Sequence, residues 1–193
     1  MANDLKSARF WARELIENAV FPGAKAIDAT MGNGYDTSLL CELVGEEGHV
    51  YAFDIQREAM ERTEERLKET GLWGRAELFC LGHERMEEIV KEPVDAIVFN
   101  LGWLPGAEHG LTTRTATTIQ AVEAAVRLLK EEALLTICVY PGHDEGKREL
   151  EALLNWAEQL DDKRFDAMLK CYLNQPNDPP QMIVVRKKKS KKK

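Results

Sequence analysis

Two continuous apolar segments constrain the fold of this chain more than any other feature. They are residues 94–101 (VDAIVFNL) and residues 133–140 (ALLTICVY). Segments that are apolar on both faces are typical of central parallel strands covered by helices on each side. Shorter strand patterns at residues 25–29, 49–55 and 76–81 alternate with helical patterns. This alternation predicts an α/β fold with a doubly wound, mostly parallel sheet.

The helical patterns begin with an amphipathic segment at residues 4–20, which Asn3 or Asp4 would cap. The other predicted helices are residues 35–44, 56–70, 83–91, 115–130 and 145–160.

The last two predicted strands, residues 165–174 and 181–186, are joined only by Gln-Pro-Asn-Asp-Pro-Pro. A parallel pair needs a crossover of about a dozen residues, so this pair is expected to be antiparallel. A parallel sheet that ends in an antiparallel hairpin is the Rossmann-like arrangement of class I methyltransferases rather than that of dehydrogenases. We therefore predict seven strands with helices on both faces. The predicted domain covers residues 1–185, and residues 186–193 form a basic tail that we expect to be disordered.

Composition limits the classes of protein that fit. A chain of 193 residues suits one domain. No apolar segment reaches the roughly 18 residues that span a bilayer, so we expect a cytoplasmic protein with no membrane contact. The four cysteines form no CxxC pair, and we expect them to be buried and reduced, with no metal site.

The net charge of −7 hides an asymmetry between the tail and the rest of the chain. The tail holds seven basic residues, which leaves 19 basic against 33 acidic residues, a balance of −14, for residues 1–185. Such an acidic body is unsuited to generic binding of nucleic acid.

A glycine turn, AIDATMGNGYDT at residues 26–37, follows the first predicted strand. Such a turn lets the backbone approach a ligand and directs helix N-terminal amides toward negative charge. In a dinucleotide-binding turn a third glycine follows three residues after Gly34, but Thr37 stands there. The turn therefore argues against a pyrophosphate ligand.

Two carboxylates accompany the turn. Asp28 ends the first strand, and Asp54 ends the second strand twenty residues beyond Gly34, where it can accept hydrogen bonds from ribose hydroxyls. A ligand with a ribose, a cationic centre and an amino-acid end suits this set. The sequence therefore predicts S-adenosylmethionine as the cofactor, with its sulfonium and ammonium near Asp28 and its ribose on Asp54.

Candidate acceptor residues follow the fourth and fifth strands, at the edge where open α/β folds place their chemistry. Asn100, in Asn-Leu-Gly-Trp-Leu-Pro-Gly, could accept hydrogen bonds from an amino group that is to be methylated. Trp103 could stack on a base or serve as packing or a lid. After strand five, His143 could contact the substrate, accept a proton or make a purely structural hydrogen bond.

The combination of DATMGNGYDT, FDIQ, NLGWLPG, two Thr-Thr pairs, YPGH and NQPNDPP resembles the YtqB/MnmM-like family of class I methyltransferases, known as putative rRNA methylases. The resemblance runs from about residue 25 to residue 186. It implies a homodimer that methylates the 5-aminomethyl group of the tRNA wobble (2-thio)uridine, giving the methylaminomethyl form. The partner would be the tRNA anticodon region.

The resemblance also implies roles for individual residues. Those carried over to the cofactor site are Asp28, Thr30, Gly32, Asn33, Gly34, Asp36, Asp54, Gln56 and His83. Those carried over to the acceptor side are Asn100, Trp103, Pro105 and His143, while Tyr140 and Asn174 are expected to complete the substrate pocket. Asn100 and His143 are the predicted catalytic residues, although water could accept the proton instead of His143.

Three rival functions remain open at this point. An rRNA or small-amine methyltransferase would keep the chemistry and change the acceptor. A noncatalytic module that binds S-adenosylmethionine or RNA would not need Asn100 beside the sulfonium. A nicotinamide oxidoreductase is opposed by Thr37 and by the terminal hairpin.

Overall fold

The computed structural model describes residues 7–102 and 113–190. The described helices are α1 (Ala8–Ala19), α2 (Tyr35–Val44), α3 (Arg57–Glu69), α4 (Met86–Ile89), α5 (Thr115–Leu128) and α6 (Asp144–Glu158). The described strands are β1 (Lys25–Asp28), β2 (His49–Asp54), β3 (Ala76–Cys80), β4 (Val94–Asn100), β5 (Leu129–Val139), β6 (Phe165–Lys170) and β7 (Gln181–Lys187). None of these helices has both the length and the apolar character needed to cross a membrane.

The described strands form one sheet in the order β3-β2-β1-β4-β5-β7-β6. Strands β1 to β5 are parallel, whereas β7 runs antiparallel to both β5 and β6. The predicted fold, a seven-stranded Rossmann-like sheet of the class I methyltransferase type, is therefore confirmed. The chain order reverses between β1 and β4, which creates a crevice at the carboxyl ends of these strands.

Burial on both faces explains the continuous apolar segments. In β1, Ala26 and Ile27 point to opposite faces, and both are fully buried. In β4, Ala96 and Ile97 do the same. Ile27 and Ile97 belong to the apolar cluster on one side of the sheet, and the two alanines belong to the cluster on the other side. The sheet therefore lies between two cores, as the sequence pattern predicts.

The junction of α5 and β5 differs from the sequence prediction. Helix α5 ends at Leu128 and β5 begins at Leu129, so Lys130 lies in the strand rather than in the helix. Leu129 is buried and pairs with Val94, and the register then shifts. Glu132 has a φ of 66°, a left-handed conformation that accompanies this irregularity. Residues 130–132 at the start of β5 are exposed and interrupt the apolar pattern, so the sequence did not predict them as part of the strand.

The terminal hairpin also has different bounds. Strand β6 ends at Lys170, four residues before its predicted end at Asn174, and β7 extends to Lys187. The first two residues of the predicted tail, Arg186 and Lys187, therefore belong to the sheet. The expectation of buried cysteines is wrong for Cys80, which is exposed at the end of β3.

Candidate active site

A cleft of about 640 Å³ opens at the carboxyl ends of the parallel strands. Its volume is within the range of roughly 300 to 1,000 Å³ that is common for small-molecule and cofactor sites. The predicted site residues that line it are Thr30, Gly32, Asn33, Asp36, Asp54, Gln56, His83, Asn100, Tyr140 and His143. The fold thus brings together residues that are more than a hundred positions apart in the chain.

The glycine turn forms the floor between β1 and α2. Gly34 is the N-cap of α2 and has a φ of 77°, which side-chain-bearing residues rarely adopt. A Cβ at Gly34 would lie 2.9 Å from the Thr63 hydroxyl and 3.0 Å from its Cα. Gly34 is therefore required by backbone conformation and by the close approach of α3, although it does not itself line the cleft.

Two arginines of α3 hold the turn from outside. Arg62 donates a hydrogen bond to the Asn33 side-chain oxygen at 2.9 Å. Arg66 donates to the Asn33 carbonyl at 2.8 Å through Nε. These bonds fix Asn33 at the wall of the cleft, and neither arginine has a local sequence signal for this contact.

Asp28 lies behind the turn and does not line the cleft. Its carboxylate accepts a hydrogen bond from the Thr37 hydroxyl at 2.6 Å and another from the Thr30 amide at 3.1 Å. Burial raises the pKa of Asp28 to about 7, and the neighbouring Asp36 adds to this increase. The structure thus assigns Thr37, which stands where a dinucleotide turn has glycine, to a buried hydrogen bond that shapes the turn. A direct contact between Asp28 and a sulfonium is not supported by this placement.

Asp54 closes the opposite wall. One carboxylate oxygen accepts from the Gly32 amide at 3.1 Å, and the other accepts from the Gln56 amide at 2.9 Å. Burial raises the pKa of Asp54, whereas these backbone hydrogen bonds lower it. Asp54 therefore links the glycine turn to the end of β2 while it faces the cleft.

His83 lies at the far end of the same wall. It is 9% exposed, and its Nδ1 is 3.3 Å from the Ala29 carbonyl. Burial lowers the pKa of His83, so the neutral ring predominates near neutrality. A neutral ring whose Nδ1–H donates to Ala29 presents an unprotonated Nε2.

Asn100 occupies the centre of the acceptor side. Its side-chain oxygen accepts a hydrogen bond from the Tyr140 hydroxyl at 2.8 Å, and its side-chain nitrogen donates to Asp36 at 3.3 Å. Its backbone amide donates to the Thr30 hydroxyl at 2.7 Å. Burial raises the pKa of Tyr140 to about 12, so this phenol stays protonated and continues to donate. These bonds fix the carboxamide orientation, and a carbonyl oxygen has a second lone pair for another donor.

Helix α1 contributes Arg9 to the cleft, a residue that was not predicted from the sequence. Arg9 lies 3.7 Å from the Asp36 carboxylate, which in turn accepts from Asn100. On the opposite wall, Arg114 also lines the cleft. The helical periodicity of residues 4–20 predicted α1 but could not show that its polar face reaches the substrate side.

His143 acts as the N-cap of α6, because its Nδ1 accepts a hydrogen bond from the Gly146 amide at 3.1 Å. A neutral imidazole that accepts at Nδ1 carries its proton on Nε2 and has no further lone pair. In this arrangement His143 cannot accept a proton without losing the cap. The structure therefore disfavours the predicted role of His143 as a proton acceptor.

A buried glutamate holds Thr113, which in turn is hydrogen-bonded to Gly102, just after the end of β4. Gly102 and Thr113 exchange two hydrogen bonds, from the Gly102 amide to the Thr113 hydroxyl and from the Thr113 amide to the Gly102 carbonyl. The Thr113 and Thr118 hydroxyls donate to Glu149 of α6 at 3.0 and 2.6 Å. Glu149 is 2% exposed, and this burial raises its pKa. A lone glutamate in a helix gave no sequence signal for this role.

Three predicted substrate residues have a different outcome. Trp103 and Pro105 lie outside the described residues. Asn174 is exposed, follows the end of β6 and does not line the cleft, so the structure does not support a substrate contact for it. Its placement follows from the sheet order, because β6 is the outermost strand beyond β7 and the chain after it leaves the sheet to one side of the cleft.

Comparison with solved structures identifies the class of fold. A structure from Clostridium thermocellum, described as a putative rRNA methylase, has a TM-score of 0.93 and 38% identity, covering 95% of this chain and 98% of the other. A putative methyltransferase from Streptococcus mutans, in complex with S-adenosylhomocysteine (SAH), has a TM-score of 0.86 and 35% identity. The match covers 95% of this chain and 99% of the other. The sheet order and these matches define a class I methyltransferase fold.

The family follows from the sequence. Residues 50–186 match the family model described as "Putative rRNA methylase", and the chain belongs to this family. It is 40% identical over 158 residues to an Arabidopsis thaliana protein named tRNA (mnm(5)s(2)U34)-methyltransferase, chloroplastic. This match covers 77% of this chain and 58% of that protein. It is also 30% identical over 117 residues to a protein-L-isoaspartate O-methyltransferase of Ignicoccus hospitalis, covering 61% and 47%. The chain thus spans about half the length of the curated relatives it matches.

Proposed function

We propose that this protein is an S-adenosylmethionine-dependent methyltransferase that N-methylates the 5-aminomethyl group of a tRNA wobble (2-thio)uridine. The observation that carries the proposal is the Asn100 carboxamide, held in one orientation by Tyr140 and Asp36 at the cleft. A fixed carbonyl oxygen beside a cofactor pocket suits the orientation of an amine. The Arabidopsis relative, whose printed name gives this substrate, supports the choice of acceptor.

The residues at the cleft fit the cofactor. The turn around Gly32 and Asn33 lines the cleft at the N-terminus of α2, where the helix dipole favours a carboxylate. Asp54 and the neutral His83 both line the cleft, where Asp54 would accept hydrogen bonds from ribose hydroxyls and His83 would contact the adenine. Bound S-adenosylmethionine supplies an electrophilic methyl group on a sulfonium centre.

The protein contributes mainly positioning. An alkylamine resembles lysine and is mostly protonated near neutrality, so it must lose a proton before it attacks the methyl group. Asn100 accepts a hydrogen bond from the neutral amine and directs its lone pair. Water accepts the departing proton, since His143 is engaged as a helix cap.

The two arginines at the cleft support RNA over a free amine as the acceptor. Arg9 and Arg114 line the cleft together with the acidic side chains of Asp36, Asp54 and Glu84. Arginine is well suited to phosphate, which a nucleotide substrate carries and a simple amine lacks. Lys188 and Lys189, which follow β7, lie away from this site, because β7 starts beside Val139 and ends at the opposite edge of the sheet.

The decisive experiment is mass spectrometry of nucleosides after incubation with labelled cofactor. The substrate would be tRNA from cells that accumulate the aminomethyl form. Transfer of one methyl group to that nucleoside is the expected result. A parallel reaction with rRNA tests the second candidate, which the family description favours, and free amines test the third. Methylation of rRNA with an unmodified tRNA pool would overturn the proposed acceptor.

The role of His143 can be tested with His143→Asn, because asparagine is also a good N-cap. We expect this variant to keep its turnover and its pH profile. Loss of turnover with a stable fold would restore His143 as the proton acceptor.

We further propose a homodimer in the cytoplasm. Strand β6 is one of the two outer strands of the described sheet, and Met168 and Leu169 on it are exposed. An outer strand with exposed apolar side chains is suited to pairing with a second chain. Leu169→Lys is expected to shift the molar mass from dimer to monomer in light scattering, whereas an unchanged mass would place the interface elsewhere.

A further inference from the structure

An exposed tyrosine stands at the rim of the cleft, outside the cofactor and amine contacts described so far. Tyr35 is the first residue of α2, it is 54% exposed, and it lines the cleft. It follows Gly34 of the turn and precedes Asp36, which binds Asn100. Tyr35 therefore lies between the cofactor turn and the acceptor side.

Cations hold this ring in place. The Arg66 guanidinium carbon lies 3.9 Å from the ring centroid, and that of Arg9 lies 5.7 Å from it. Arg66 is itself fixed by its bond to the Asn33 carbonyl, and Arg9 by its ion pair with Asp36. The tyrosine ring is thus preorganised although more than half of the side chain is open to solvent.

The position distinguishes Tyr35 from other exposed aromatic residues. Among the described residues, the exposed aromatic side chains are Phe10, Phe21, Tyr35 and Trp73. Of these four, only Tyr35 lines the cleft. Trp73 has a comparable arrangement, with 40% exposure and Lys68 at 5.2 Å from its ring, but it precedes β3 at the opposite edge of the sheet.

We propose that Tyr35 is a stacking platform for a nucleobase that neighbours the methylated nucleotide in a single-stranded RNA loop. Aromatic side chains with adjacent cations are a common means of binding single-stranded nucleic acid, because the ring stacks on a base and the cations attract phosphate. An acidic protein needs such local contacts, since its overall charge repels RNA. This inference rests on the proposed RNA substrate and assigns to it a contact outside the reacting nucleotide.

The test compares a stem-loop RNA with a free nucleoside. The stem-loop carries aminomethyluridine at the wobble position, and the nucleoside is 5-aminomethyluridine alone. Tyr35→Ala is expected to raise KM for the stem-loop about 10-fold or more, the loss typical of one stacked base. It should leave the rate with the nucleoside and the affinity for SAH unchanged. Tyr35→Phe, which keeps the ring, is expected to restore KM, and Trp73→Ala serves as the matched control.

Several results would overturn the platform. An unchanged KM of Tyr35→Ala for the stem-loop would show that no base stacks on Tyr35. An equal loss with the free nucleoside would place Tyr35 inside the reacting pocket, and weaker SAH binding would make it part of the cofactor site. If wild-type protein methylates neither substrate, the proposed function fails. Fluorescence anisotropy with the same RNA then decides the platform separately, because equal affinities of wild-type and Tyr35→Ala would reject it.

Discussion

The Tyr140 hydroxyl donates a 2.8 Å hydrogen bond to the Asn100 side-chain oxygen, and so couples the end of β5 to the end of β4. Tyr140→Phe removes this donor and keeps the ring. We expect kcat for amine methylation to fall about 2- to 10-fold, because one neutral hydrogen bond contributes roughly 0.5 to 1.5 kcal/mol. Binding of SAH, measured by calorimetry, should not change.

Tyr51→Phe is the control for this variant. The Tyr51 hydroxyl donates to Glu92 at 2.9 Å, and Glu92 pairs with Lys25 at the start of β1, away from the cleft. Equal losses of kcat in both variants would show that removing a tyrosine hydroxyl acts through stability and not through Asn100.

Asp54→Asn is expected to weaken SAH binding about 10- to 100-fold. The Asp54 carboxylate accepts hydrogen bonds from the backbone amides of Gly32 and Gln56. The substitution removes the negative charge, and the new side-chain NH₂ would face one of these two N–H donors without an acceptor. Asp95→Asn is a matched control, since Asp95 also accepts from a backbone amide, that of Lys25, at the opposite edge of the sheet. Tight SAH binding by Asp54→Asn would exclude Asp54 from the cofactor site.

Asp28 should make stability depend on pH. Burial raises its pKa to about 7, well above the value of 3.8 expected in the unfolded chain. The folded protein therefore binds more protons between these values, and the free energy of unfolding should fall as pH rises from about 4 to about 7. For this group the loss is up to about 4 kcal/mol.

Asp28→Asn, which cannot ionise, is expected to flatten that dependence in urea unfolding at pH 5, 6, 7 and 8. Relative to wild type, the variant should gain most stability at pH 8. Asp162→Asn changes an exposed residue and should leave the slope as in wild type. A wild-type slope in Asp28→Asn would mean that Asp28 is ionised in the folded protein throughout this range.

Gly34→Ala and Gly71→Ala separate backbone strain from steric contact. Both glycines have a positive φ, 77° and 72°, but a Cβ at Gly71 meets no atom within 4 Å, whereas one at Gly34 would meet Thr63. Gly71→Ala is expected to cost about 1 kcal/mol of unfolding free energy, and Gly34→Ala roughly 1 to 3 kcal/mol more. Equal costs in chemical denaturation would show that α3 moves away from the turn without penalty.

Glu149→Ala should release Thr113 and Thr118, whose hydroxyls Glu149 holds as a clamp. The hydroxyls of Thr113 and Thr118 would lose a buried acceptor, at a cost of about 2 to 4 kcal/mol in unfolding free energy. We expect KM for the amine acceptor to rise while SAH affinity holds. Glu151→Ala, an exposed change on the same helix, is the control. A stable Glu149→Ala with normal KM would show that the clamp is redundant.

The sequence predicted the parts of this molecule that depend on local pattern. Continuous apolar strands, the glycine turn and the short connection before β7 were sufficient to predict the sheet and its antiparallel end. Carboxylates at strand ends, such as Asp54, were placed correctly at the cleft because parallel strands end at one edge.

What the sequence could not show depends on long-range packing. Arg9 reaches the cleft only because α1 packs against the sheet, and Arg66 contacts the turn only because α3 lies beside it. Asp28 seemed suited to a cationic ligand, but the hydrogen bond from Thr37 draws it behind the turn. The β5 bulge at Glu132 likewise follows from pairing with β4 and has no local signal.

The direction of β7 determines how the molecule can be handled. The strand starts at Gln181, opposite Val139 at the cleft edge, and Arg186 near its end pairs with Leu134 toward the other edge. A surface tether attached at Lys187, the last residue of β7, would therefore start at the edge of the sheet that faces away from the cleft. Immobilised protein would present its cleft to the bulk solution, so binding of large RNA molecules can be followed on a sensor surface without obstruction by the attachment.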